Sequence, residues 1–192
     1  MRKRLLSVLM IPLLLLGGCG EREAGTKKQF QRFRDDMVHV RRIAAAARLT
    51  AEREDSVEEY LLSVESDGSE VVQEITEPDI LRGVRARSKW GELSVAYDGV
   101  MLGAGPLDGE GLTPVSAVPA ILNAMAGGYV ELIWREEDMI AARLYAGEES
   151  RCTVWLDGET LAPLTAEMDS GGRRVLSCVF ESWELEAGEP AS

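Results

Sequence analysis

Apolar and polar positions follow three different rhythms along the 192 residues, and each predicts a different kind of element. From Leu5 to Leu16 the chain is apolar apart from Ser7 and Pro12. From Lys28 the apolar positions Phe30, Phe33, Met37 and Val40 recur at steps of three and four, one face of a helix. Past Glu54 the step shortens to two, the period of a strand with one buried face. Tyr60, Leu62 and Val64 alternate, as do Leu93, Val95 and Tyr97, then Cys152, Val154 and Leu156, then Leu164, Ala166 and Met168, and last Leu176, Cys178 and Phe180. Tyr129–Trp134 and Met139–Tyr145 form a further pair around Arg135-Glu136-Glu137-Asp138.

Turn residues separate these runs. Asp67-Gly68, Asp98-Gly99, Asp108-Gly109 and Asp157-Gly158 are dipeptides that tolerate the positive φ angles of tight hairpins, and Gly171-Gly172 is another. The spacing predicts about nine to eleven antiparallel strands joined in sequence. One helix interrupts them, over Ser116–Ala126, with Ser116 as N-cap, Pro119 in the first turn and Gly127-Gly128 as the stop. Val118, Ile121, Leu122 and Met125 make its apolar face. The expected fold is α+β: a large curved antiparallel sheet, a half-barrel, wrapped around a central helix, with an N-terminal helix beside it.

The first apolar run has a separate purpose. Arg2, Lys3 and Arg4 precede it and Gly17-Gly18-Cys19 follow it, the three-part layout of an export signal, and twelve residues are too few to span a bilayer as a helix. Leu16-Gly17-Gly18-Cys19 resembles the lipobox cut by the lipoprotein-processing peptidase. That resemblance implies a signal peptide over 1–18, with Cys19 carrying diacylglycerol as the first mature residue. Residues 20–27 are polar and read as a tether, with the domain over 28–186 and a short tail over 187–192.

Charge divides the mature chain. Residues 21–50 hold eight Lys or Arg against four Asp or Glu, whereas residues 51–192 hold ten against 29, within an overall net charge of −12. The basic part beside the anchor is attracted to anionic headgroups, and the acidic domain is repelled by them. The same acidity argues against nucleic-acid binding. The helix from Lys28 could rest on the bilayer or pack on its own domain; the sequence leaves both open.

Signs of catalysis are few. The single His, His39, lies in the basic segment, and no phosphate loop or nucleophile elbow is present. Asp108-Gly109-Glu110-Gly111 lacks the alternating ligands of a calcium loop. Cys152 and Cys178 lack the paired spacing of a zinc site. Alternation puts both cysteines on one inward face, on strands separated by a third, so roughly 10 Å apart and beyond disulfide reach. Neither an enzyme nor a cofactor is indicated.

The order of elements resembles the lipoprotein-localisation carriers and receptors, the LolA/LolB-like fold. The residues that carry this are Glu77-Pro78-Asp79-Ile80-Leu81-Arg82-Gly83-Val84, the hairpin Leu93–Leu102 and the Pro-containing helix 116–126. The resemblance implies that Arg41–Arg53 is a long strand, although Ala44–Ala47 alone favours helix. It also implies a half-barrel that shelters acyl chains, with candidate lining residues Val118, Ile121, Leu122, Met125, Val154, Leu164 and Leu176. The layout is similar too to the GerS-type germination lipoproteins, which implies the other function: a non-enzymatic regulatory partner of a cell-wall amidase. The chain departs from the soluble carriers in having its own lipid anchor at the extracytoplasmic face of the cell membrane. No exposed apolar loop of the receptor's insertion type is expected.

Overall fold

The computed structural model describes residues 18–52, 55–89, 91–106 and 113–188, with the backbone alone over 18–22, 102 and 104–106. The signal run and the Asp108–Gly111 turn lie outside the described residues, and Cys19 is placed through its backbone only.

Helix α1 (Gly18–Val38) leads into β1 (Val40–Glu52), and β2 (Val57–Ser66), β3 (Glu70–Glu77), β4 (Arg85–Lys89), β5 (Glu92–Tyr97) and β6 (Val100–Pro106) follow by sequential turns. Helix α2 (Ala117–Gly127) then precedes β7 (Val130–Glu136), β8 (Met139–Tyr145), β9 (Ser150–Asp157), β10 (Pro163–Ser170) and β11 (Arg173–Ala187). All eleven strands form one sheet in the order β6-β5-β4-β3-β2-β1-β11-β10-β9-β8-β7. Every pairing is antiparallel. The long strands β1 and β11 join the two meanders at the centre.

Alternation explains the sheet. Along β1, Ile43, Ala45, Ala47, Leu49 and Ala51 are buried while the residues between them are half-buried or exposed. The alanines therefore build a strand and not a helix: their small side chains face a crowded inner surface, and the pairing on both flanks outweighs local propensity. The strand implied for 41–53 runs over 40–52.

Helix α1 starts at Gly18, earlier than the predicted Lys28, so residues 20–27 are helical. Lys27 binds Glu23 at 2.7 Å, one turn earlier, and Thr26 is buried, which gives this polar stretch both a local and a tertiary reason to coil. Val40, placed on the helix face by its spacing, instead opens β1, and β11 extends to Ala187. Phe30, Phe33 and Met37 are buried in the core, so α1 packs on its own domain. No helix among the described residues is long and apolar enough to cross a membrane.

The turns follow the sequence signals unevenly. Asp98 (φ 49°) and Gly99 (φ 77°) make a two-residue hairpin of the expected kind. Asp157-Gly158 does not: the chain loops through to Ala162, and the Asp157 side chain accepts hydrogen bonds from Thr160 N and Oγ1 at 2.7 and 2.8 Å. Gly158 is needed for close approach, since a Cβ there would lie 2.2 Å from the carbonyl oxygen of Asp138. The motif after Glu77 folds back on β3, where Gly83 and Val84 exchange hydrogen bonds of 2.9 Å with Ile75.

Candidate functional site

The concave side of the sheet holds α2, and this is where the candidate lining residues meet. Val118, Ile121 and Met125 are 0% exposed, as is Val154 on β9, while Leu176 on β11 is 1% and Leu122 is 4% exposed. A water-sized void beside any of them would leave measurable surface on its walls, so this part of the concavity is filled by protein. They belong to one core cluster with Leu144, Leu156, Met168 and both cysteines.

Leu164 is a correction. It is 38% exposed and faces away from the core. A register shift between Pro163 and Thr165 inserts an extra residue in β10, so Pro163 takes the inward position. Strict alternation cannot anticipate such a bulge.

Helix α2 is buried on more than its sheet-facing side. Ala117, Val118, Pro119, Ala120, Ile121, Leu122, Ala124 and Met125 are all buried, as expected of a helix covered from two directions. The second covering element is α1, which packs against α2, β7 and β8. Two polar contacts pin α2 at its ends. Arg34 of α1 donates to the Ala126 carbonyl oxygen at 3.1 Å, where the helix leaves its last carbonyls without internal partners. Gln73 of β3, 1% exposed, donates through Nε2 to the Pro114 carbonyl oxygen at 2.9 Å, and its own Oε1 has no partner. Ser116 does not cap by its side chain. Its Oγ lies 2.6 Å from Thr113 Oγ1, in the turn before the helix.

An open pocket of about 290 Å³ lies elsewhere, where β1 begins and β2 turns into β3. Arg41, Arg42, Glu65, Asp67 and Glu70 line it together with Ile43 and Val72, a mixture of both charges and apolar side chains. Cys152 on β9 and Cys178 on β11 are free, buried and separated by β10, as the alternation predicts. Burial pushes both thiols up to about 12, with the neighbouring Cys178 adding to the effect on Cys152. Such thiols are poor nucleophiles. Among the described residues no group of three His, Cys, Asp or Glu stands close enough to hold a metal ion.

The expectation of no exposed apolar loop does not hold for the described residues. Ile80 is 82% exposed, and Val57, Tyr97, Val100 and Met101 are exposed as well. All five sit at the end of the sheet where β1 finishes, on neighbouring turns and strand ends. The sequence signal was available in the apolar residues flanking Asp98-Gly99, but period-two alternation assigned them to a covered face. In an open sheet the outermost strands are covered less than the central ones.

No family model and no curated protein matches the chain. Solved structures similar to it include a LolA superfamily protein from Nitrosomonas europaea, at TM-score 0.47 and 16% identity, over 83% of this chain and 93% of that one. A putative outer membrane lipoprotein-sorting protein domain from Vibrio parahaemolyticus is similar at TM-score 0.48 and 7% identity, over 88% and 94%. The lipoprotein LppX of Mycobacterium tuberculosis is similar at TM-score 0.43 and 13% identity, over 88% and 98%. The single antiparallel sheet, with one helix before β1 and another between β6 and β7, follows the order of elements expected from the sequence.

Proposed function

We propose that this chain is a non-enzymatic lipoprotein, held by lipidated Cys19 at the extracytoplasmic face of the cell membrane, that works by binding a protein partner on its outer surface. The observation that carries this reading is the filled concavity. Freeing the space would require α2 to leave the core. Exposing Val118, Ile121, Leu122 and Met125 alone costs about 1.5–3 kcal/mol each, or roughly 6–12 kcal/mol together. That is comparable to the whole stability of an ordinary domain, about 5–15 kcal/mol. Helix α2, enclosed by the sheet and α1, is therefore better described as core than as a lid.

The second reading is a carrier that holds an acyl chain or lipoprotein in the concave sheet. What favours it is the apolar character of the surface beneath α2, formed by Val154, Leu156, Met168 and Leu176. An acyl chain taking the volume of α2 would recover the cost of displacing it. Native mass spectrometry of the protein purified from membranes separates the two. Beyond the mass of the anchor, the partner-binding reading expects no lipid. A stoichiometric second lipid, lost when Met125 or Val154 is replaced by a polar residue, would establish the carrier instead.

A further inference from the structure

The far end of the sheet carries two kinds of side chain that rarely share an idle surface. Val57 begins β2, Ile80 stands on the β3–β4 connection, and Tyr97 and Val100 flank the β5–β6 hairpin turn on one face, with Met101 next to them on the other. Because these strands are consecutive neighbours, the turns lie side by side along one rim. Singly exposed apolar residues are ordinary on a protein surface; a row of five large ones is not.

Carboxylates occupy the gaps. Asp55, Glu59, Glu77 and Asp98 are exposed on the same rim. Among the described residues the nearby cations are already engaged: Arg82 pairs with Asp79, Arg85 binds Glu74 at 2.6 Å, and Arg48, which Glu59 and Glu77 also attract, binds Glu181 at 2.6 Å. The described part of the rim is thus apolar and negatively charged, with its positive charge spent on internal pairs. An anionic bilayer surface is repelled by such a rim. Helix α1 also sits at the other end. Gln29 donates to the Gly158 carbonyl oxygen at 3.1 Å beside the β7–β8 turn, and Val38 runs into the start of β1. Strand β1, of 13 residues, places about 40 Å between the two ends of the sheet.

We propose that this rim is the docking surface for a basic, amphipathic segment of a protein partner, whose apolar side chains meet Ile80, Tyr97 and Val100 and whose Lys or Arg meet the carboxylates. The proposal rests on the partner-binding reading above and names the chemistry of that partner. Charge complementarity selects it: an acidic segment would be repelled, and a neutral one would leave the carboxylates uncompensated.

The test uses the full chain with Cys19→Ala, which removes the anchor and leaves the rim untouched. The probes are a synthetic amphipathic peptide of Leu and Lys, its counterpart of Leu and Glu, and vesicles of phosphatidylglycerol. Calorimetric titration should detect the Lys peptide, weakening as salt is raised, and should not detect the Glu peptide. The variant Ile80→Ser/Tyr97→Ser/Val100→Ser should bind the Lys peptide about tenfold more weakly. Glu59→Lys/Glu77→Lys should do the same, and both variants should keep the parent melting temperature because the replaced side chains are exposed. Equal binding by the variants overturns the rim as the docking site while leaving a partner surface elsewhere, whereas lipid retained in the native spectrum would overturn the parent reading. Binding to the vesicles that the Ser variant loses would also overturn the proposal, since the rim would then be a membrane contact.

Discussion

Arg34 reaches from α1 to the Ala126 carbonyl oxygen, 3.1 Å away, and so joins the first helix to the last turn of the second across 92 residues of sequence. A cation at that position meets both the unpaired carbonyls and the negative end of the helix dipole. It is half-buried, which spares the contact much of the screening a surface pair suffers. Arg34→Ala should therefore lower unfolding stability by about 1–2 kcal/mol. Urea denaturation measures it, and a loss near zero would mean that apolar packing alone holds α1 on α2.

Met125 tests whether the concavity is filled. With no exposed surface in the native state, its truncation in Met125→Ala should leave a hole and cost about 2–5 kcal/mol. A cost below about 1 kcal/mol would indicate a site that already had room, as a ligand pocket does. Leu164→Ala on the outer face is the paired control and should change stability by no more than about 0.5 kcal/mol.

The thiols make a pH-dependent prediction. Folded Cys152 and Cys178 ionise only near about 12, against an ordinary value of 9.0. Below pH 9 both states keep the proton and stability is unaffected. Between pH 9 and 12 the unfolded chain releases protons that the folded chain retains, so stability falls as pH rises through that window. Correspondingly, iodoacetamide at pH 8 should label neither cysteine in the native protein and both in urea. Rapid native labelling of either would show that the core around β9–β11 opens.

The anchor is tested independently of the domain. Cys19→Ala should move the protein from the membrane fraction to the soluble exported fraction, because acyl chains contribute about 0.8 kcal/mol for each buried methylene and no described helix can span the bilayer. A variant that still sediments with membranes would assign the attachment to another part of the chain.

Much of this architecture could be read directly from residue spacing. The alternation of Cys152, Val154 and Leu156, or of Leu176 and Cys178, follows from the two-residue period of a strand, and each of these side chains is buried on the concave side. The same period places Cys152 and Cys178 on strands separated by a third. Leu164 broke the rule because its inward phase depends on a bulge set by pairing with β9. Ala44–Ala47 needed the neighbouring strands to overrule helix propensity, and residues 20–27 needed contacts with the domain to become helical.

Local sequence, then, determined the antiparallel strands, the helix α2 between them and the apolar set Val118, Ile121, Leu122, Met125, Val154 and Leu176, since each is encoded within a few neighbouring residues. Only the tertiary structure decided that this set fills the concavity, that α1 covers α2, and that Ile80, Tyr97 and Met101 stand exposed on one rim. Whether an apolar residue ends in a core, a cleft or a docking surface depends on what lies opposite it. That partner comes from distant parts of the chain, and a periodic pattern carries no information about it.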